Sequence, residues 1–232
     1  GIAEGTGFLV DPDQLSPKLA AKFPGQLLLL TNNHVIADKM HASAMSPAEA
    51  RIIFTRGVDA PQYNCSAVWE SPINELDATL LTLDPPIRKG TIEPCPIAED
   101  RIYDQLRAKA ALEAASDGRV TPSSNVFIMG HPMGQELCIS LHDTEVLDKG
   151  APSGLTFEYL HYRTPTHPGH SGSPVFDESD WQVIALHHAG SGTETIRRLS
   201  DPKKRHKANE GISMKSIRRR LEEDFKNRRR FI

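Results

Sequence analysis

The chain is short of cysteine. Its three thiols, Cys65, Cys95 and Cys138, lie far apart in 232 residues and form no Cys-x-x-Cys pair. An odd, scattered set argues against a disulfide framework or a cysteine-rich zinc site, and it favours a reducing, cytoplasmic setting. Long apolar runs are missing too. The longest pure one is the four leucines at 27–30, far below the roughly 18 residues a membrane-crossing helix needs, so no membrane span is expected. The opening residues, GIAEGTGFLV, carry no basic stretch and no cleavage pattern. They do not read as a secretory signal, and secretion stays open only if an upstream signal was removed.

What is present is an ordinary globular composition, 38% hydrophobic and 25% charged, which argues against disorder. The net charge of −3 hides an asymmetry. Residues 1–196 hold 13 basic and 25 acidic side chains, and residues 197–232 hold 14 basic and 5 acidic. A basic segment therefore ends an acidic body.

Most of the chain reads as short β-strands separated by Gly, Pro, Asn and Asp turns: GTGFLV, QLLLLT, ARIIFTR, NCSAVWE, DATLLTL, SNVFIMG, QELCISL, LTFEYLHYR, SPVFD, WQVIALHHAG and NEGISM. Each is rich in Val, Ile, Leu, Phe or Thr, the pattern of an all-β barrel or sandwich. Three stretches differ. Residues 11–26 read as a polar surface loop. Residues 98–118 combine early acids, strong helix formers and a terminal glycine, and so predict an inserted helix. In MKSIRRRLEEDF, Met214, Ile217, Leu221 and Phe225 share one stripe, which predicts a docked amphipathic C-terminal helix.

The densest chemistry lies in THPGHSGSPVF, residues 166–176. A serine hydroxyl is a poor nucleophile unless a base takes its proton, a third group holds the base, and donors await the oxyanion. Ser171 in GHSGSP is the candidate nucleophile. His34 in TNNHV, delivered by an apolar strand, is the candidate base. Asp77 in NELDATLLTL, at the mouth of another apolar strand, is the candidate orienting acid. The amides of Gly169 and Ser171 are candidates for the oxyanion hole.

TNNHV, LDATLLTL and PGHSGSPVF, in that order, resemble the three catalytic blocks of the chymotrypsin-like serine peptidases. The separations are 43 residues from His34 to Asp77 and 94 from Asp77 to Ser171. GTGFLV resembles the first barrel strand of that family. VFIMGHPMG is similar to the strand opening the second barrel in its bacterial branches, such as the glutamyl endopeptidases and Deg-type proteases. The resemblance implies two six-stranded antiparallel β-barrels with a cleft between them. The expected division is a first barrel over 1–97, a helical linker over 98–121, a second barrel over 122–213, and a C-terminal helix with a basic tail over 214–232. One departure is His170, where the digestive enzymes carry an aspartate that pairs with a freed N-terminus. Activation by that ion pair is therefore not expected.

The resemblance also implies a specificity pocket. Its deep aspartate in the Lys/Arg cutters corresponds to Pro165, so that basis for basic specificity is absent. Thr166 and His187 match a Thr/His pair that binds glutamate in the glutamyl endopeptidases, and a similar pair reads glutamine in picornaviral processing proteases. Gly190 completes this pocket. The expected preference before the cut bond is thus Glu, Gln or Asp, with a protonated imidazole suiting a carboxylate. Adjacent strand residues face opposite ways, so only one of His187 and His188 is expected in the pocket; His187 is taken first, His188 second. Glu210, if it points inward, favours a basic residue instead. The basic loop 196–207 is placed to meet acidic substrate residues.

The expected function is a cofactor-free serine endopeptidase acting on a protein or peptide substrate, with the inserts at 11–26 and 98–118 as surfaces for a regulatory protein partner. The alternative is a peptidase fold that only docks a partner. Nucleic-acid binding by the tail KNRRR is not favoured, since no recognition motif accompanies it. No metal site is expected, because prolines interrupt the set His161, His167 and His170 and no His-Glu-x-x-His occurs.

Overall fold

A computed structural model of the protein describes residues 5–38, 44–54, 59–100, 124–152, 155–190, 192, 194–227 and 229–232. Two curled antiparallel sheets account for most of them. The first takes β1 (Phe8–Val10), β2 (Leu28–Thr31), β3 (Ile52–Ile53), β4 (Gln62–Ser71) and β5 (Ala78–Asp84), in the order β1-β2-β5-β4-β3. The second takes β6 (Val126–Gly130), β7 (Cys138–Ser140), β8 (Val146–Gly150), β9 (Tyr159–Tyr162), β10 (Pro174–Asp177), β11 (Val183–Gly190) and β14 (Asn209–Ser213), in the order β7-β6-β10-β11-β14-β9-β8. A small hairpin, β12 (Ile196–Arg197) with β13 (Arg205–His206), rises from the loop between β11 and β14. The all-β class with paired half-barrels is the expected one. Among the described residues the sheets carry five and seven strands, where six each were expected.

The four leucines that begin at Leu27 show why these strands form. Leu28 and Leu30 belong to the large core shared by both sheets, while Leu27 and Leu29 belong to a second cluster on the other face of the first sheet. A barrel wall with apolar packing on both faces needs such a run. Each fully buried leucine contributes about 1.5–3 kcal/mol. The shared core joins Phe8, Leu28, Trp69 and Leu80 to Leu160, Val175 and Leu186, so the cleft between the sheets has fixed walls.

Residues 11–26 are not a plain loop. They form two short helices, α1 (Pro12–Leu15) and α2 (Pro17–Lys22). Asp11 caps the first by accepting from the Asp13 amide, and each helix opens on a proline, the position where its fixed φ and missing N–H do least harm. Leu15 and Leu19, four residues apart, enter the core, which polar composition alone had hidden. The helix expected over 98–118 falls almost wholly on 101–123, outside the described residues.

The C-terminal helix is present as α3 (Met214–Asn227), with Met214, Ile217 and Leu221 buried and Phe225 packed at the edge of the core. It reaches the first sheet. Trp69 Nε1, fully buried, donates to Asp224 Oδ2 at 2.9 Å. Glu75 accepts from Arg230 at 2.6 Å and also from Arg220. These side chains of the basic tail are therefore spent on the fold. Among the described residues, no helix is long and apolar enough to cross a membrane.

Candidate active site

The candidate base, His34, and its candidate acid, Asp77, meet at the end of β2. Asn32 and Asn33 turn the chain there, and Asn32 Nδ2 donates to the Asp77 carbonyl at 2.9 Å. Asp77 sits in a left-handed backbone conformation, φ +43°, rare for a residue with a side chain. That strain is held by the Asn32 bond and by its own amide donating to Pro72 O at 3.0 Å. The result is a two-point grip. Asp77 Oδ1 accepts from the His34 amide at 2.9 Å, and Asp77 Oδ2 lies 2.6 Å from His34 Nδ1. His34 Nδ1 is thereby engaged, which leaves Nε2 as the free ring nitrogen.

Ser171 comes from the turn before β10. Gly169 and Gly172 hold φ of +96° and +86° in this turn. A Cβ at Gly172 would lie 2.0 Å from Thr6 O and 2.5 Å from Thr31 Oγ1, so only glycine fits. Thr6, missed by sequence reasoning, fastens the turn to the first sheet. Its amide donates to Ser171 O at 2.8 Å, its hydroxyl donates to Gly169 O at 2.7 Å, and its carbonyl accepts from Thr31 Oγ1 at 2.7 Å. Thr31 precedes His34 by three residues, so one short network ties the serine turn to the histidine turn. Among the described residues Ser171 Oγ makes no hydrogen bond to His34, and the amides of Gly169 and Ser171 donate to no protein acceptor. Such contacts often tighten only when substrate is bound.

Ser171 opens on a cleft of about 850 Å³ whose lining includes Pro165, Thr166, His187, His188, Gly190 and Asn209. Both histidines line it, against the expectation that strand alternation admits one. The cause is a bulge: the register between β11 and β14 shifts between His187 and Ala189, and a bulge breaks the two-residue alternation. The hairpin adds Arg198, His206 and Lys207 to the lining.

The two histidines are in opposite states. His187 is 3% exposed and its Nδ1 lies 2.7 Å from the Tyr162 hydroxyl. Burial, helped by the neighbouring imidazoles, lowers its pKa to about 3. It is neutral, which corrects the expectation of a protonated imidazole in the pocket. Burial pushes the Tyr162 hydroxyl well above its ordinary value, so it stays a donor. His188 is also desolvated, but its bonds to Asp77 at 3.4 Å and Glu210 at 2.8 Å outweigh burial and raise its pKa to about 9. It is charged at neutral pH.

Glu210 does not point into the cleft as a free carboxylate. Its two oxygens meet His188 Nε2 and His161 Nε2, the latter at 2.7 Å. Burial alone would raise its pKa; these two partners bring it down to about 2. The inward-pointing role weighed from sequence is thus ruled out by its partners. Asp77, 1% exposed, is likewise held below the ordinary carboxylate range, because its bonds to His188 and His34 outweigh its desolvation. His170, next to Ser171 in the chain, is buried, with Nδ1 3.1 Å from both the amide and the carbonyl of His167.

Known proteins agree with this architecture. Over 197 residues the chain is 29% identical to an uncharacterized protein, y4fB, of Sinorhizobium fredii, covering 80% of this chain and 25% of that one. Over 174 residues it is 29% identical to secreted RxLR effector protein 73 of Plasmopara viticola, covering 72% of this chain and 40% of that one. The chain thus spans only a quarter to two fifths of the length of these curated relatives. Among solved structures, the inactive form of the Rv3671c protease of M. tuberculosis is similar in fold, with a TM-score of 0.55 at 14% identity over 96% of this chain and 86% of that one. A family model, the trypsin-like peptidase domain, matches residues 5–186. The chain belongs to the trypsin-like peptidase family, whose fold supports serine protease activity.

Proposed function

We propose that the protein is a serine endopeptidase that cuts after glutamine, and after glutamate less readily, in substrates carrying acidic residues near the cut bond. The observation that carries the reading is the two-point grip of Asp77 on His34, 2.6 Å at Nδ1 and 2.9 Å at the amide, beside a serine tied into the same network through Thr6. His34 Nε2 takes the Ser171 proton as Oγ attacks the peptide carbonyl. The amides of Gly169 and Ser171 receive the oxyanion, and Asp77 steadies the imidazolium that forms. The acyl-enzyme is then released by water, with His34 again the base. No cofactor enters these steps.

The preference follows from charge. A neutral His187, with Tyr162 holding Nδ1, offers Nε2–H as a donor without positive charge. With the Thr166 hydroxyl it suits an amide carbonyl, and a buried carboxylate would lack its counter-charge there. Arg198, Lys207 and the charged His188 favour acidic groups elsewhere in the cleft.

Digestion of an unbiased peptide library by the wild type and by Ser171→Ala tests this. Cuts should follow Gln first and Glu second, and the variant should lose on the order of 10³-fold or more in rate. A chain that cuts nothing, and whose Ser171 stays unlabelled by a fluorophosphonate, is instead a docking module. The second reading rests on Ser171 Oγ making no hydrogen bond to His34 among the described residues.

A further inference from the structure

We propose that Asp148, His161 and His206 form a binding site for one divalent transition-metal ion of the zinc class. The expectation of no metal weighed His161 only against its sequence neighbours His167 and His170. The fold gives it other partners.

Three adjacent strands set the site. Asp148 on β8 and Glu210 on β14 are both direct cross-strand partners of His161 on β9, so the three side chains share one face of the sheet. The β12–β13 hairpin folds over that face and adds His206. One ligand-capable atom from each of Asp148, His161 and His206 lies within 4.8 Å of the others.

The hydrogen bonds around the cluster are those a metal ligand set needs. Glu210 Oε2 accepts from His161 Nε2 at 2.7 Å. That fixes the proton on Nε2 and leaves Nδ1 as a lone pair. A carboxylate behind a ligating imidazole orients the ring and raises its basicity. The Nδ1 lone pair faces His206 Nε2 at 2.8 Å. Metal ligation requires neutral rings, and His206 supplies the second imidazole of the pair. Its other nitrogen, Nδ1, is buried with no partner among the described residues, so the hydrogen-bonded pair leaves this ring half satisfied. Asp148 is fixed by donors from outside: Oδ2 accepts from the amides of Leu199 and Ser200 at 2.8 and 3.1 Å, and Oδ1 from Lys149.

Chemistry selects the ion. Two imidazoles and a carboxylate suit zinc and its neighbours, while magnesium and calcium want oxygen ligands. Tetrahedral zinc with Zn–N of about 2.0–2.1 Å separates its ligands by about 3.3 Å. The two nitrogens need to part by about half an ångström, through a hairpin whose strands are two residues long. Three protein ligands leave the fourth position to water. Access is through the cleft, whose wall includes His206.

The test uses the untagged, chelator-treated full chain. Titration with Co2+ should give the strong visible absorption of a four-coordinate ion, saturating at one per chain. Calorimetry with Zn2+ should give the same stoichiometry, and the affinity should fall at least about 10–100-fold in His206→Ala and in Asp148→Asn. Should either variant unfold, imidazole NMR of the wild type decides: Zn2+ must shift the His161 and His206 ring signals together. A weak octahedral cobalt spectrum, binding that both folded variants retain, or shifts confined to other histidines would each overturn the site.

Discussion

His188 Nδ1 stands 3.4 Å from Asp77 Oδ2, the same oxygen that holds His34 at 2.6 Å. One buried carboxylate is thus shared by two imidazoles, and the second is pinned from behind by Glu210 at 2.8 Å. His188 is a fixed cation here because its pKa is raised to about 9. It grips Asp77 from behind while its ring also lines the cleft.

The stability of the fold should carry the mark of that cation. A group whose pKa is raised in the folded state contributes fully below its unfolded value, near about 6.5, and the contribution is lost as pH climbs to its folded value. For His188 the window therefore runs from about 6.5 to about 9. The wild-type Tm should fall more steeply across that window than the Tm of His188→Gln. The gap should amount to several degrees, because about 1 kcal/mol moves the Tm of a chain this size by about 2–4 °C. Parallel curves from the two proteins would mean His188 is not charged.

Thr6 should act on rate through placement of the serine turn. Its hydroxyl donates to Gly169 O at 2.7 Å and accepts from the His131 amide at 3.1 Å. Thr6→Val keeps the shape and removes both bonds. On the proposed mechanism a displacement approaching 1 Å at the Gly169 and Ser171 amides costs about 100-fold in rate, so kcat should fall about 10- to 100-fold while KM changes little. Thr6→Ser should restore most of it. A Thr6→Val enzyme with full kcat would show that the backbone bonds alone place the turn.

Much of this architecture was legible in the sequence. The strand blocks and the C-terminal helical stripe follow from apolar periodicity and local turn chemistry, which are short-range signals, and the order of His34, Asp77 and Ser171 stands out through the resemblance of their blocks to those of the chymotrypsin-like peptidases. What the sequence could not carry is pairing at a distance. Thr6, Tyr162 and Glu210 matter through partners 163, 25 and 49 residues away, and nothing in their local context announces it. The bulge that turns both His187 and His188 toward the cleft is equally silent. A polar stretch such as 11–26 hid two helices because few of its apolar side chains, Pro12, Leu15 and Leu19, are buried.

Selectivity at the pocket should be insensitive to pH. His187 has a pKa of about 3, so it gains no proton anywhere in the working range, and the side chain of a substrate glutamate stays ionised there too. The ratio of kcat/KM for matched Gln and Glu peptides should stay flat from about pH 5.5 to 8.5, since neither group titrates inside those limits. A ratio that swings toward Glu at low pH would indicate a protonated His187. Tyr162→Phe removes the hydroxyl that holds Nδ1 and frees the tautomer. It should lower the Gln:Glu ratio about tenfold, in line with the loss of one oriented hydrogen bond of about 1.4 kcal/mol.

The helix α3 should stabilise without taking part in catalysis. Its Asp224, 3% exposed, accepts from the buried Trp69 Nε1 at 2.9 Å and lies 3.4 Å from Arg220. Asp224→Ala leaves the indole N–H buried with no acceptor, a penalty of about 1–3 kcal/mol. Asp224→Asn keeps an oxygen for the indole and loses only the charge facing Arg220. The expected order of Tm is wild type, then Asn, then Ala. The alanine variant should lie several degrees below the wild type, with kcat/KM unchanged at temperatures where both are folded. Equal Tm values for the Ala and Asn variants would show that the indole bond contributes nothing. A loss of kcat/KM in a folded variant would instead mean that the helix reaches the Glu75–Asp77 turn, through the Glu75 carboxylate that Arg220 and Arg230 hold in common.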